Sequence, residues 1–329
     1  MSATRVPPAT LIGFAVAAAV VAVAPWLLPP YIAFELAYAG AYAIAILGLI
    51  ILTGFNGQIS LGHGAFMAIG GYSVAIAITH AGWPPEAAIP IAAVLCAVLG
   101  GIVGVVALRL SGAYLALATF ALAVSVAPLL KRFRDVTGGA QGMTFPSAHA
   151  PGFLAGVLDS ERWLYYEVWA IVGVVFVASW FALQGRLGRA LRALRDNEIA
   201  AVSFGINPFV YKSLAFAWSA AYAGIAGALI ATATAYVSPD TYALQLSITL
   251  LIGAVLGGLG TIWGAVIGGL VVEFLPLWAQ TINTAASSLV YGISLIVVMI
   301  AMPGGIAGAV RRVAQIIIRP QPEGQPERS

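Results

Sequence analysis

From Leu36 to Pro85 this chain carries no Asp, Glu, Lys or Arg, and uncharged stretches also cover Val6–Phe34, Ala87–Leu108, Leu110–Leu130, Val168–Gly185, Ser213–Pro239, Thr241–Val272 and Phe274–Val310. A membrane-crossing helix needs about 20 consecutive apolar residues, so the longest of these runs hold two helices each. Only 8% of the residues are charged and 61% are hydrophobic, whereas a soluble domain is about 25% charged. The pattern specifies an all-α, polytopic integral membrane protein. Helices are expected near 10–28, 36–54, 62–80, 87–108, 112–130, 164–183, 212–236 and 288–302. Leu244–Pro276 would make about 50 Å of helix, too long for one crossing of a core of about 30 Å. Its Gly257-Gly258-Leu259-Gly260 cluster divides it into two short spans. The expected total is about ten spans. They form a transmembrane domain over 1–310, followed by a tail, 311–329, that is disordered toward its Pro- and charge-rich end. Arg5 ahead of apolar Leu11–Leu28 resembles a signal peptide, but the long core and the spans that follow read as an uncleaved first helix.

One polar stretch interrupts this apolar chain. Gly54–Tyr72 reads GFNGQISLGHGAFMAIGGY, setting Asn56, Gln58, Ser60, His63 and Gly64 inside the longest uncharged interval. An unsatisfied polar group in hydrocarbon costs about 2–7 kcal/mol, so such a break survives where protein buries it or where it lines a watery path. These five residues are the candidate translocation path; the alternative is a short aqueous loop between two helices. His63 has no neighbouring Cys or carboxylate in sequence, so no metal site is expected. Gly100 and Gly104, Gly253 and Gly257, and Gly260, Gly264 and Gly268 step by four, a spacing that lets helix backbones approach. The single cysteine, Cys96, is expected to be a packing residue. Trp26, Trp83, Trp163, Trp169 and Trp278 fall near expected span ends, as interfacial anchors do. Glu273, next to Pro276, reads as interfacial too.

Charge sets the orientation. Arg186, Arg189, Arg192 and Arg195 with Lys212 form the densest basic loop, and Arg311, Arg312 and Arg319 mark the C-terminal end. Positive-inside bias places both in the cytoplasm and, with ten crossings, the N-terminus as well. Lys131, Arg132 and Arg134 then fall in an outer loop, 131–163, against the rule. The net charge of +3 follows this bias and points to no nucleic-acid partner.

The basic loop, 185–212, has its own design. Leu187, Leu191 and Leu194 recur as one helical stripe, with the arginines fanned over the other side. A helix lying at the membrane face fits this pattern. Asp196 and Asn197 punctuate it, and a second short helix starts at Glu198-Ile199-Ala200-Ala201 and is stopped by Gly205 and Pro208. Two short helices form a surface for another protein; a basic loop touching only anionic headgroups is the alternative.

Glu198, Ala200, Ala201 and Gly205 resemble the coupling loop of ABC-importer permeases, with Ile199 inserted between the acid and the alanines. GQISLGHGAFMAIGGY, RLSGAYLALATFALA (Arg109–Ala123), TGGAQGM (Thr137–Met143), GRALRALRDNEIAAVSFGIN (Gly188–Asn207) and GGLGTIWGAVIGG (Gly257–Gly269) strengthen the likeness. Over about residues 35–305 the chain resembles the LivM-type permease subunit of branched-chain amino acid ABC importers. That resemblance implies a type-II-like permease in a bacterial inner membrane, passing leucine, isoleucine and valine. Its partners would be a LivH-like second permease, two ABC ATPases carrying ATP and Mg, and an external substrate-binding protein. Arg195, Asn197, Glu198, Ala200, Ala201, Gly205, Ile206 and Asn207 would couple to the ATPase. Thr137, Gly138, Gly139 and Gly142 would receive the binding protein.

No catalytic residue and no cofactor is expected in this chain itself. It has no Walker A motif, since its only lysines are Lys131 and Lys212 and Tyr211 precedes the latter. Urea, short amides and aromatic acids are alternative solutes within the family. A secondary transporter or channel is the alternative outside it, and would call for paired ionisable residues at the bilayer midplane, of which the chain has almost none.

Overall fold

The computed structural model describes residues 8–110, 112–146, 159–282, 289, 292–293, 296–297, 300 and 305–308. α1 (Pro8–Leu27) leads into α2 (Pro30–Leu49), which widens into a π-helix over Ile50–Phe55. After the polar break come α3 (His63–Ala81), α4 (Pro85–Ala107) and α5 (Ala113–Arg132). The 131–159 end carries short α6 (Arg134–Thr137) and β1 (Met143–Thr144). Long α7 (Ser160–Gln184) is followed by α8 (Arg186–Asp196), α9 (Glu198–Ser203) and α10 (Pro208–Thr234). β2 (Tyr236–Val237), α11 (Leu244–Gly257) and α12 (Gly264–Ile282) follow. Proline opens α2, α4 and α10, where its fixed φ suits a first turn and its missing N–H costs nothing.

Among the described residues seven helices are long and apolar enough to cross a membrane, with Ala18–Leu27 and Leu244–Gly257 as shorter apolar helices. The helix expected near 288–302 and the tail 311–329 fall largely or wholly outside the described residues. The division of 244–276 falls at the glycine cluster, where Gly258 takes φ +111°. The expected end near Pro276 is corrected: α12 continues to Ile282 with Pro276 inside it; a proline removes one backbone bond and crowds the carbonyl four residues back, but membrane helices tolerate such a break where neighbouring groups re-satisfy the freed backbone. Glu273 is therefore within a helix and not at its edge.

α2 is the axis of the bundle, packed against α7, α10, α11 and α12. From Ala39 on, where all but Tyr42 are buried, it shows no amphipathic stripe. Glycine permits the close approaches. Gly269 faces the Ala39 and Ala43 backbone, Gly100 and Gly104 of α4 face Ala220, Phe216 and Ser213 of α10, and Gly253 faces Gly268. Gly260 is the exception, with open space around its α-carbon. Cys96 is a packing residue, its thiol 3.4 Å from the Phe66 carbonyl. Trp169 departs from the expected belt: it lies nine residues into α7 with its indole N–H buried, against Gly40 of α2.

α7 separates the two basic loops, so they occupy opposite ends of the bundle. At the 131–159 end β1 pairs antiparallel with β2, and Lys131 binds Asp240 at 2.6 Å. The arginine-rich loop sits at the other end.

Candidate functional site

At the arginine end, local rules build the 185–212 loop residue by residue. Leu191 and Leu194 of α8 face the bundle and are buried. Asn197 caps α9, its side-chain oxygen accepting from the Ala200 N–H at 3.0 Å. The helix closes with paired bonds, Ile206 N–H to Ala201 C=O and Gly205 N–H to Val202 C=O, and Gly205 sits at φ +80°. This is a Schellman end, which wants glycine in the left-handed position. The spacing from the alanines to Gly205 is thus a helix-termination requirement. Asn207 then caps α10 through the Phe209 N–H. Lys212 ties the loop down by binding Glu198 at 2.7 Å.

What this loop offers outward is apolar. Ile199 is 83% exposed and Phe204 86%, with Val202, Phe209 and Val210 also exposed. Ala201 is buried and Ala200 is not. Apolar side chains grouped around a short helix, beside a charged rim, mark an interaction surface.

What it touches inward is the polar break. Arg195 donates from Nη1 to the Gly54 carbonyl at 2.6 Å and pairs with Asp196 at 2.8 Å. Gly57, at φ +74°, lies against the Arg195 side chain so closely that a Cβ there would meet its Cγ at 2.8 Å. The Arg192 guanidinium lies 5.7 Å over the Phe55 ring. The Leu259 carbonyl, in the turn between α11 and α12, packs against Gly54 as well. One arginine thus touches the end of α2 and the start of the break.

Beyond Gly57 the chain climbs back into the bundle. Asn56 Nδ2 donates to Gln58 Oε1 at 2.5 Å, the Leu61 N–H to Thr119 Oγ1 at 2.9 Å, and the Gly62 N–H to Ser60 Oγ at 3.2 Å. His63, 1% exposed, opens α3 and lies 2.7 Å from Ser219 Oγ. The Ser219 hydroxyl donates to the Gly48 carbonyl, so the bond from the ring must come from a protonated Nε2. Gly64 donates to Ser247 Oγ at 2.8 Å, joining the start of α3 to the first turn of α11. Ser219 lies eleven residues into α10, about 16 Å along its axis. Both α3 and α11 therefore begin deep inside the bundle, as discontinuous helices of transporters do.

The structure thus buries all five path candidates along one stretch of chain, in separate hydrogen-bonded pairs, with Arg195 of the loop against its start. The four outer-loop candidates form a tight glycine turn at the opposite end. Thr137 and Gly139 are buried, Thr137 Oγ1 donating to the Leu130 and Phe133 carbonyls. Gly138 and the neighbouring Arg132, Arg134 and Asp135 are exposed there. Sequence reasoning missed Ser219, Ser247 and Thr119, whose only signal was a hydroxyl within an uncharged run, shared with other Ser and Thr there. It also missed a cavity of about 420 Å³ lined by Tyr42, Asp240, Gln245, Thr249 and Glu273.

Ser219→Ala should lower stability by about 1–2 kcal/mol, since it leaves the His63 donor unpartnered in the interior. Ser125→Ala removes only an exposed hydroxyl bound to its own turn and should be neutral. Unfolding in detergent followed by tryptophan fluorescence compares the two.

A multi-span helix bundle in which two helices begin near its middle defines a polytopic membrane transport component. A family model described as branched-chain amino acid transport system, permease component, matches residues 31–299, and the chain belongs to that family. It is a permease subunit and not an enzyme. It is similar to the high-affinity branched-chain amino acid transport system permease protein LivM of Escherichia coli, with 32% identity over 287 residues, covering 80% of this chain and 67% of the relative. Permease protein LivH of the same organism is 27% identical over 285 residues, covering 81% and 91%. The ribose import permease protein RbsC of Haemophilus influenzae is 25% identical over 242 residues, 71% of each chain. No significant match to a solved structure was found.

Proposed function

We propose that this chain is one permease of an ATP-driven importer in a bacterial inner membrane, passing leucine, isoleucine and valine. It pairs with a LivH-like second permease; similarity to both LivM and LivH supports a two-permease assembly. An external binding protein delivers the solute to the 131–163 loop, and two ATPases, holding ATP and Mg, dock on the arginine-rich loop. Both termini face the cytoplasm.

The observation that carries this reading is the α8–α9 loop, apolar outward at Ile199 and Phe204 and bound inward, through Arg195, to the Gly54 carbonyl. An ATPase gripping α9 would pull on Arg195, which with Arg192 holds the end of α2. Displacement there would be felt along Asn56–Gly64, where α3 is anchored to α10 and α11. Work done at the membrane face in this way reorients helices that begin inside the bundle.

Ile199→Asp combined with Phe204→Asp tests the docking. Both side chains are exposed, so the chain should still insert and still co-purify with the second permease. The ATPases should be lost from the complex, and uptake of radiolabelled leucine, isoleucine and valine with them. Retention of the ATPases together with normal uptake would refute the assignment of α9.

A further inference from the structure

A groove of about 870 Å³ runs between α4 and α7. Ile89 and Val94 of α4 and Val174 of α7 line its length, with Ile225 of α10 among its walls. Its polar lining is gathered near the starts of α4 and α7, at Glu86, Trp163, Tyr166 and Glu167; the Tyr166 hydroxyl is already taken, accepting from Trp26 Nε1 and donating to the Ala22 carbonyl. Glu167 is seven residues into α7, about 10 Å along the helix. Both of its carboxylate oxygens are shielded from solvent and, among the described residues, have no hydrogen-bond partner, and neither has the Trp163 indole N–H.

A carboxylate at this depth without a donor is costly, and ionisable groups within spans usually serve a partner. Among the described residues no cation of this chain is bonded to it: Lys131 binds Asp240, Lys212 binds Glu198, and Arg162 of the same helix pairs with Asp159 and lies over the Trp26 ring. The groove asks for a molecule with a long apolar body, a hydrogen-bonding cation at one end and an acceptor oxygen beside it. We propose that it holds one phosphatidylethanolamine. An acyl chain lies along Ile89, Val94 and Val174, the primary ammonium donates to Glu167 with Glu86 adding negative charge nearby, and a phosphate or ester oxygen accepts from Trp163 Nε1. A choline headgroup, which has no N–H, cannot satisfy those oxygens, and a glycerol headgroup brings no cation.

The full chain, purified in nanodiscs of equimolar phosphatidylethanolamine and phosphatidylcholine with identical acyl chains, is examined by native mass spectrometry for the lipid it retains. One phosphatidylethanolamine per chain should remain bound, favoured over phosphatidylcholine at least tenfold. Glu167→Gln should retain a lipid but bring that ratio close to one. Val174→Trp, at a position 71% exposed and so free of packing cost, should fill the groove and abolish retention. An unselective or lipid-free wild type, or an undiminished preference in Glu167→Gln, would overturn the proposal. So would a photo-crosslinker at Val94 that captures a second permease helix in place of lipid.

Discussion

Arg195→Ala is expected to cut ATP-driven uptake at least tenfold while leaving the transporter assembled and its ATPase active. The side chain reaches three things at once: the Gly54 carbonyl, the Asp196 carboxylate and the backbone of Gly57. A hydrogen bond from a charged donor contributes about 1.5–3 kcal/mol, and about 1.4 kcal/mol is a factor of ten. Loss of this one contact therefore corresponds to a tenfold to roughly hundredfold loss of coupling. Arg195→Lys keeps the charge but not the planar fork that serves two acceptors in fixed directions, so uptake should fall between wild type and Ala. The measurement is solute uptake per ATP hydrolysed in proteoliposomes. An unchanged ratio would show that force does not pass through Arg195. Loss of the ATPases from the Ala complex would show that Arg195 holds the docking surface itself.

The largest effect on stability is expected at Gly227. A β-carbon there would run into the backbone carbonyl of Met67, where α3 and α10 touch. Nearby, Gly70 faces the Gly224 backbone. Overpacking against side chains costs about 1–3 kcal/mol, because they shift; here two helix backbones meet and neither yields locally. Gly227→Ala should cost more than about 3 kcal/mol and sharply reduce the yield of monodisperse protein. Gly173 of α7 has open space around its α-carbon, and Gly173→Ala should be neutral or stabilising by up to about 1 kcal/mol through helix propensity. Detergent size-exclusion profiles and melting temperatures separate the pair. Equal behaviour of the two variants would mean that the α3–α10 contact is not as close as described.

Much of the architecture is legible in the residue order. The uncharged runs mark the spans because a charged or unpaired polar group in hydrocarbon is expensive. The loop from Arg186 to Asn207 is equally readable, since caps, leucine stripe and terminating glycine are local devices that act over four to seven residues. Pro276 misled, as a proline's lost bond and crowded preceding turn weaken a helix, while its packed neighbours decide whether it continues. Trp169 misled because an indole near a helix end in sequence has no fixed direction until α2 packs beside it.

By itself the sequence determined that the chain spans a membrane, roughly where most of its helices lie, and that a capped helix starts at Glu198. Each of these follows from composition or from short-range hydrogen bonding; α2, α7 and α10 begin four to six residues earlier than expected, at Pro30, Ser160 and Pro208. Only the tertiary structure decided what the polar break does. That Arg195 holds Gly54, that His63 meets Ser219 and that Gly64 meets Ser247 are contacts between residues 141, 156 and 183 positions apart. No local rule encodes such pairs. They exist because glycine-lined helices pack closely enough to bring hydroxyls and a guanidinium from distant helices to the groups that the break leaves open.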